Sequence, residues 1–140
     1  MPAASIPAVF GDLVGRDKRA FAHLGLVMRD GTPHVTPIWF DYDGTFFYFN
    51  TARGRVKDRI MRSHPRVGFD IQDPENAYRY IQVRGAVVGE TEEGAEDCIR
   101  SLNEKYMGDR NYPYCLRADA TRGRRRRHPP GWANRGCRRC

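Results

Sequence analysis

The stretch FFYFNTARGRVKDRIMRSHPRVGF, Phe46 to Phe69, decides the fold. It opens as an aromatic run suited to a buried strand and empties into Thr51, Arg53, Arg55, Lys57 and Arg59, with Gly54 among them. From Arg55 to His64 the apolar residues Val56, Ile60 and Met61 fall on one side at helical spacing, and Pro65 stops the run. A strand, a glycine-containing loop and a helix start therefore converge. Such a junction offers backbone N–H groups, a hydroxyl and several cations to an anion. Arg supplies a forked donor for phosphate and Lys a compact charge. The same charges also suit the wet face of an amphipathic helix, and the residues alone leave both readings open.

Upstream, FAHLGLVM (Phe21 to Met28) and HVTPIWFDY (His34 to Tyr42) read as strands closed by Asp30-Gly31 and Asp43-Gly44, the dipeptides most suited to tight antiparallel turns. With TFFYFN they predict a three-stranded meander. Pro37 cannot donate a ladder hydrogen bond, so its strand is expected to be bulged or at an edge there. Pro7 to Val14 reads as a short helix. Downstream, RVGFDI and YRYIQVRGAVVGET resume strands. Glu92 to Tyr106 then reads as a helix capped by Thr91, with Ile99, Leu102 and Tyr106 as its stripe. Five strands, mostly consecutive and antiparallel, with two or three helices imply a small β-barrel flanked by helices.

The chain of 140 residues suits one domain. Its net charge of +7 is unevenly placed, because Cys115 to Cys140 holds nine Arg and one Asp, whereas Met1 to Tyr114 holds 15 basic and 16 acidic residues. The basicity belongs to the tail. Cys98 stands alone in the body, and Cys137 and Cys140 lack a second pair to complete a zinc site, so no metal is expected. The N-terminus has no cationic start followed by a long apolar core, and no run is long enough to span a bilayer, so a soluble cytoplasmic protein is expected.

Four motifs in order, the Thr36-Pro37-Ile38-Trp39 strand, FNTARGRVKDR at the loop and helix start, HPRV, and DPENAYRY with Arg84-Gly85 following, resemble the pyridoxamine 5'-phosphate oxidase-like split-barrel superfamily. Within it the chain is most similar to the coenzyme F420-dependent oxidoreductases. The resemblance runs from about Phe21 to Tyr114 and favours the anion-site reading. It implies a mainly β, α+β fold: a small antiparallel split barrel of the FMN-binding type, occupying residues 1–114. It implies a homodimeric oxidoreductase that moves hydride between bound F420, or FMN as the alternative, and a small organic substrate. Thr51, Arg53, Arg55 and Lys57 would hold the cofactor's phosphate. Val35, Thr36 and Pro37, with His34 close by, would meet its ring, and Tyr78 and Tyr80 would approach from the partner subunit. Trp39 and Phe40 are read as core. No residue is singled out as a catalytic nucleophile or base, since such chemistry is the cofactor's; His64 is read as a helix C-cap and His23 as packing or interface.

Residues 115–140 depart from the family, which calls for a last apolar strand. CLRADATRGRRRRHPPGWANRGCRRC has almost no aliphatic residue and is expected to contribute little order. Two origins are open: a natural basic extension that could touch nucleic acid, or translation in a shifted frame. Other functions therefore stand beside the enzyme: a (deaza)flavin-binding module without turnover, or a protein acting on nucleic acid through its tail.

Overall fold

A computed structural model describes residues 5–111 and 135–139, the latter through their backbone. Two four-stranded sheets pack around one apolar core without closing into a continuous barrel. Sheet A has the order β2-β1-β5-β6, where β1 is Ala22–Val27, β2 Pro33–Ile38, β5 Arg66–Asp73 and β6 Asn76–Ala86. Sheet B has the order β3-β4-β8-β7, where β3 is Phe40–Tyr42, β4 Phe47–Ala52, β7 Gly89–Thr91 and β8 Arg135–Arg139. Every pairing is antiparallel. The helices are α1 (Gly11–Val14), preceded by a 3-10 turn at Ala8–Phe10, α2 (Val56–Ser63) and α3 (Ala95–Met107).

Alternation builds the core. Ala22, Leu24 and Leu26 of β1, Val67, Phe69 and Ile71 of β5 and Phe47 and Phe49 of β4 point inward. Phe69 joins the two sheets, its ring meeting those of Phe47 at 4.9 Å and Phe49 at 5.2 Å, both edge-on. Arg79 ties the N-terminal segment to the β5–β6 hairpin by donating to both carboxylate oxygens of Asp12 and to Asp73; it holds Asp12 below the ordinary carboxylate range, while the Glu75 amide first and Arg79 second hold Asp73 below it.

Several expectations are corrected. His34 to Tyr42 is not one strand: it breaks at Trp39, leaving β2 in sheet A and starting β3 in sheet B, so the three-stranded meander does not form. The break lets one apolar segment serve both walls of the core. At Pro37 the edge alternative holds and the bulge does not: β2 is an edge strand of sheet A, and Pro37 keeps unbroken register with β1. Thr91 does not cap α3. Its hydroxyl accepts from the Glu93 amide, and the helix starts after Gly94, whose φ of 72° turns the chain into it. Val56 is exposed rather than core, while Asp58 joins Ile60 and Met61 in the buried face of α2. Among the described residues there are eight strands where five were expected, and one is β8. Arg135–Arg139 pairs with β4 on one side and β7 on the other, against the expectation that the tail makes few contacts with the body. A ladder needs only N–H and C=O groups, and β4 would otherwise present an open edge. The rest of the expected tail, residues 115–134 and 140, lies outside the described residues.

Candidate functional site

The β4–α2 junction forms as the sequence suggests. Gly54 takes a φ of 81°, a left-handed conformation that glycine adopts without strain. Its amide donates to Asp58 Oδ2 at 2.7 Å, and the Arg55 amide donates to the Ala52 carbonyl at 3.3 Å. Asp58 is buried and also accepts from Arg62 Nε at 3.2 Å, so one carboxylate pins the loop to its own helix. No side chain caps the start of α2. Its first-turn amides are thus left to solvent or a ligand, with the positive end of the helix dipole behind them.

Two side chains at this junction point to an anion. Thr51 is 5% exposed, and its Oγ1, buried, has no hydrogen-bond partner among the described residues. A buried hydroxyl without a partner is costly. Lys57 is half-buried, and it makes no ion pair with a carboxylate among the described residues. Burial first, and the charge of Arg55 second, hold its ammonium below the usual lysine range. A desolvated cation beside another cation is stabilised by an anion. Arg53 is differently placed: it is ion-paired with Glu92 from the turn before α3.

The β2 residues divide by face. Register sets His34 opposite Leu26 and Thr36 opposite Leu24, on the core side, where Thr36 Oγ1 is a second buried hydroxyl without a partner. Val35 and Pro37, opposite Gly25 and His23, face outward. Tyr78 is 95% exposed and Tyr80 50% exposed. They share the outer side of β6 with Gln82 and Arg84, while Ile81 is buried on the other. The outer face of sheet A therefore carries Val35 and Pro37 at one edge and the tyrosines at the other, about 14 Å apart at three inter-strand spacings of roughly 4.8 Å. Within one chain the ten candidate residues thus fall into a cradle at Thr51, Arg55 and Lys57 with Arg53 turned to Glu92 beside it, four residues on β2 and two on β6.

Sequence reasoning missed Asp58 and Glu92, the acids that order the cradle and engage Arg53. It also missed the pairing of His23 Nδ1 with Asp70 Oδ1 at 3.1 Å, which joins neighbouring strands. The i,i+4 spacing of Asp58 and Arg62 was a visible signal for the first. The others needed the register. His64 does occupy the C-cap of α2, its amide donating to the Ile60 carbonyl at 2.7 Å, and Phe40 is core. Trp39 stacks on Tyr106 with ring centroids 5.2 Å apart. No described helix is long and apolar enough to cross a membrane.

Comparison with known proteins adds to this geometry. The family model for pyridoxamine 5'-phosphate oxidase matches residues 16–127. Among solved structures, one named F420 reductase superposes with a TM-score of 0.72 at 28% identity, covering 96% of this chain and 93% of the other. A conserved hypothetical protein from Mycobacterium tuberculosis superposes with a TM-score of 0.66 at 18% identity, covering 100% of this chain and 82% of the other. No curated protein matches the chain.

Proposed function

The chain belongs to the pyridoxamine 5'-phosphate oxidase family, whose fold is that of flavin-binding oxidoreductases, and from that premise we propose that it is an oxidoreductase using coenzyme F420, with FMN as the alternative. Lys57 carries the proposal. A half-buried ammonium without a carboxylate partner among the described residues, beside an uncapped helix start and the unpartnered hydroxyl of Thr51, matches the phosphate that both cofactors bear. The neighbour named F420 reductase, similar over nearly all of both chains, favours the deazaflavin.

In this reading Thr51, Arg55 and Lys57 bind phosphate, with Arg53 shared with Glu92. Val35 and Pro37 on the outer side of β2 border the ring, with His34 and Thr36 on the opposite, core side of the same strand. The cofactor supplies hydride chemistry when bound; the chain supplies orientation, charge and exclusion of water. Tyr78 and Tyr80, exposed on the outer side of β6, suit contact with a second copy, so the functional unit is a homodimer acting on a small organic substrate. Titration of the purified chain with F420 and with FMN, followed by fluorescence, tests the proposal. Saturable binding of one of them that weakens in Lys57→Ala supports it. Equal affinity in the variant overturns the cradle assignment, and reduction of the bound cofactor without turnover of any acceptor would favour a binding module instead.

A further inference from the structure

The β4–α2 junction is crowded with cations, and carboxylates answer some of them. Between positions 53 and 62 stand Arg53, Arg55, Lys57, Arg59 and Arg62. Asp58, on α2 itself, accepts from Arg62 Nε, and the same guanidinium pairs with Glu90 of β7 at 2.6 Å. Glu92, from the turn between β7 and α3, pairs with Arg53. Backbone fixes where that turn lies. The Glu93 amide donates to the Thr91 hydroxyl at 3.0 Å and the Ala95 amide to the Glu92 carbonyl at 3.1 Å, while Asn50 Nδ2 of β4 donates to the Ala95 carbonyl at 2.9 Å. The turn is thus docked on the strand that runs into the cradle loop, and the fold itself brings a carboxylate to the rim of the site.

A carboxylate at that rim works against phosphate. It engages the guanidinium of Arg53 and adds a negative charge, which weakens the hold on any anion and weakens it more for a doubly charged one. Folding gains little from it, because both side chains are about half exposed and exposed pairs contribute little to stability. What the pair can discriminate is the charge of a ligand. F420 carries its phosphate as a diester with one negative charge, whereas FMN ends in a monoester that loses its second proton at about pH 6 and is close to doubly charged at neutral pH.

We propose that the Arg53–Glu92 pair is a charge filter on the cradle, favouring a phosphodiester over a phosphomonoester and so F420 over FMN. This rests on the cofactor reading above and names the residue that sets its selectivity. Thr51 and Lys57 receive one negative charge, and Glu92 occupies the cation that would meet a second.

The test is a titration of F420 and of FMN against the full chain, against Glu92→Gln and against Glu92→Gln combined with Arg53→Gln, at low salt. In Glu92→Gln at neutral pH, FMN is expected to bind about three- to fivefold tighter while F420 changes less than about twofold. The gain should vanish in the double variant, which lacks the released guanidinium, and at about pH 5.5, where the monoester carries mostly one charge. It should also shrink at high salt, which screens charges this exposed. A pair that only braces the turn against β4 would move both cofactors together and at both pH values. That result overturns the proposal, as does an unchanged ratio of FMN to F420 affinity in Glu92→Gln. A Lys57-dependent F420 site with that unchanged ratio overturns the filter alone, whereas binding that ignores Lys57→Ala, or no binding of either cofactor, overturns the cradle reading and the filter with it.

Discussion

Sheet A and sheet B contain four strands each but hold them by different means. In sheet A, β1 and β5 run six and eight residues with strict alternation, and their buried positions are filled by Ala, Leu, Val, Ile and Phe, with Asp73 at the end of β5. In sheet B, β3 and β7 are three residues long, and the partner between β4 and β7 is Arg135–Arg139, a segment with no aliphatic side chain. One sheet is specified by side chains and the other is completed by backbone. That contrast accounts for what a sequence can disclose, and it can be attacked experimentally at four points.

The largest effect is expected where both sheets depend on one ring. Phe69 is buried in sheet A and touches Phe47 and Phe49 of sheet B. Phe69→Ala removes a buried aromatic and leaves a cavity, at a cost of about 3–5 kcal/mol. Chemical denaturation should show one cooperative transition moved to lower denaturant. Two transitions, or a loss below about 1 kcal/mol, would mean that the sheets do not share a core.

The strands of sheet A were legible because alternation is a side-chain signal, and β1 and β5 have it without interruption. The β4–α2 junction was legible for a related reason: Gly54, Arg55 and Lys57 stand together in sequence, so a local turn suffices to assemble them. What escaped was set by partners distant in sequence. The break at Trp39 appears only once two sheets compete for one apolar run. His23 and Asp70 are 47 residues apart and meet through register. Val35 and His34 look equivalent in sequence, yet alternation puts them on opposite faces of an edge strand. The strand at Arg135–Arg139 escaped because backbone pairing leaves no mark in an apolar pattern.

Next in size is the cradle itself. Lys57→Ala should weaken cofactor binding by about 1.5–3 kcal/mol, the contribution of a hydrogen bond to a charged group, or roughly 10- to 150-fold. Folding stability should not fall, since the variant removes a desolvated cation whose ammonium sits beside Arg55. A lower melting temperature together with unchanged affinity would make Lys57 a structural residue of α2 rather than a ligand of phosphate.

An effect of similar size, and one that depends on pH, is expected where α3 closes over the junction of the sheets. Lys105 is 5% exposed, donates to the Phe40 carbonyl at 3.0 Å and lies 4.1 Å from the centre of the Phe40 ring. Burial lowers its ammonium to about 8. The unfolded chain keeps that proton to about 10.4, so between those values it binds more protons than the folded chain and stability rises with pH. Burial moves neighbouring Tyr106 the opposite way, raising its phenol, so above about pH 10 the unfolded chain releases a proton that the folded chain retains and stability falls. Denaturation across pH 7 to 11 should give a maximum near 10. In Lys105→Met the rise between 8 and 10 should be lost while the fall above 10 remains. A rise that persists in that variant would show that another group produces it.

The smallest effect on stability is expected from removing residues 115–140, and it tests the contrast between the sheets most directly. Ordering five strand residues costs on the order of 1–2 kcal/mol each, while each ladder hydrogen bond returns only about 0.5–1.5 kcal/mol net. With β4 on one side and β7 on the other, the two terms nearly cancel. The melting temperature of the truncated chain should therefore stay within a few degrees of the full chain, as should cofactor affinity, because the cradle lies on β4 and α2. What changes is the edge. Without β8, β4 presents unpaired N–H and C=O groups beside Phe47 and Phe49, a template for pairing with another chain. Light scattering should show faster association of the truncated protein at equal stability. A drop of more than about 10 °C in melting temperature would instead mean that residues 115–140 bury side chains against the body, and that sheet B, like sheet A, is held by them.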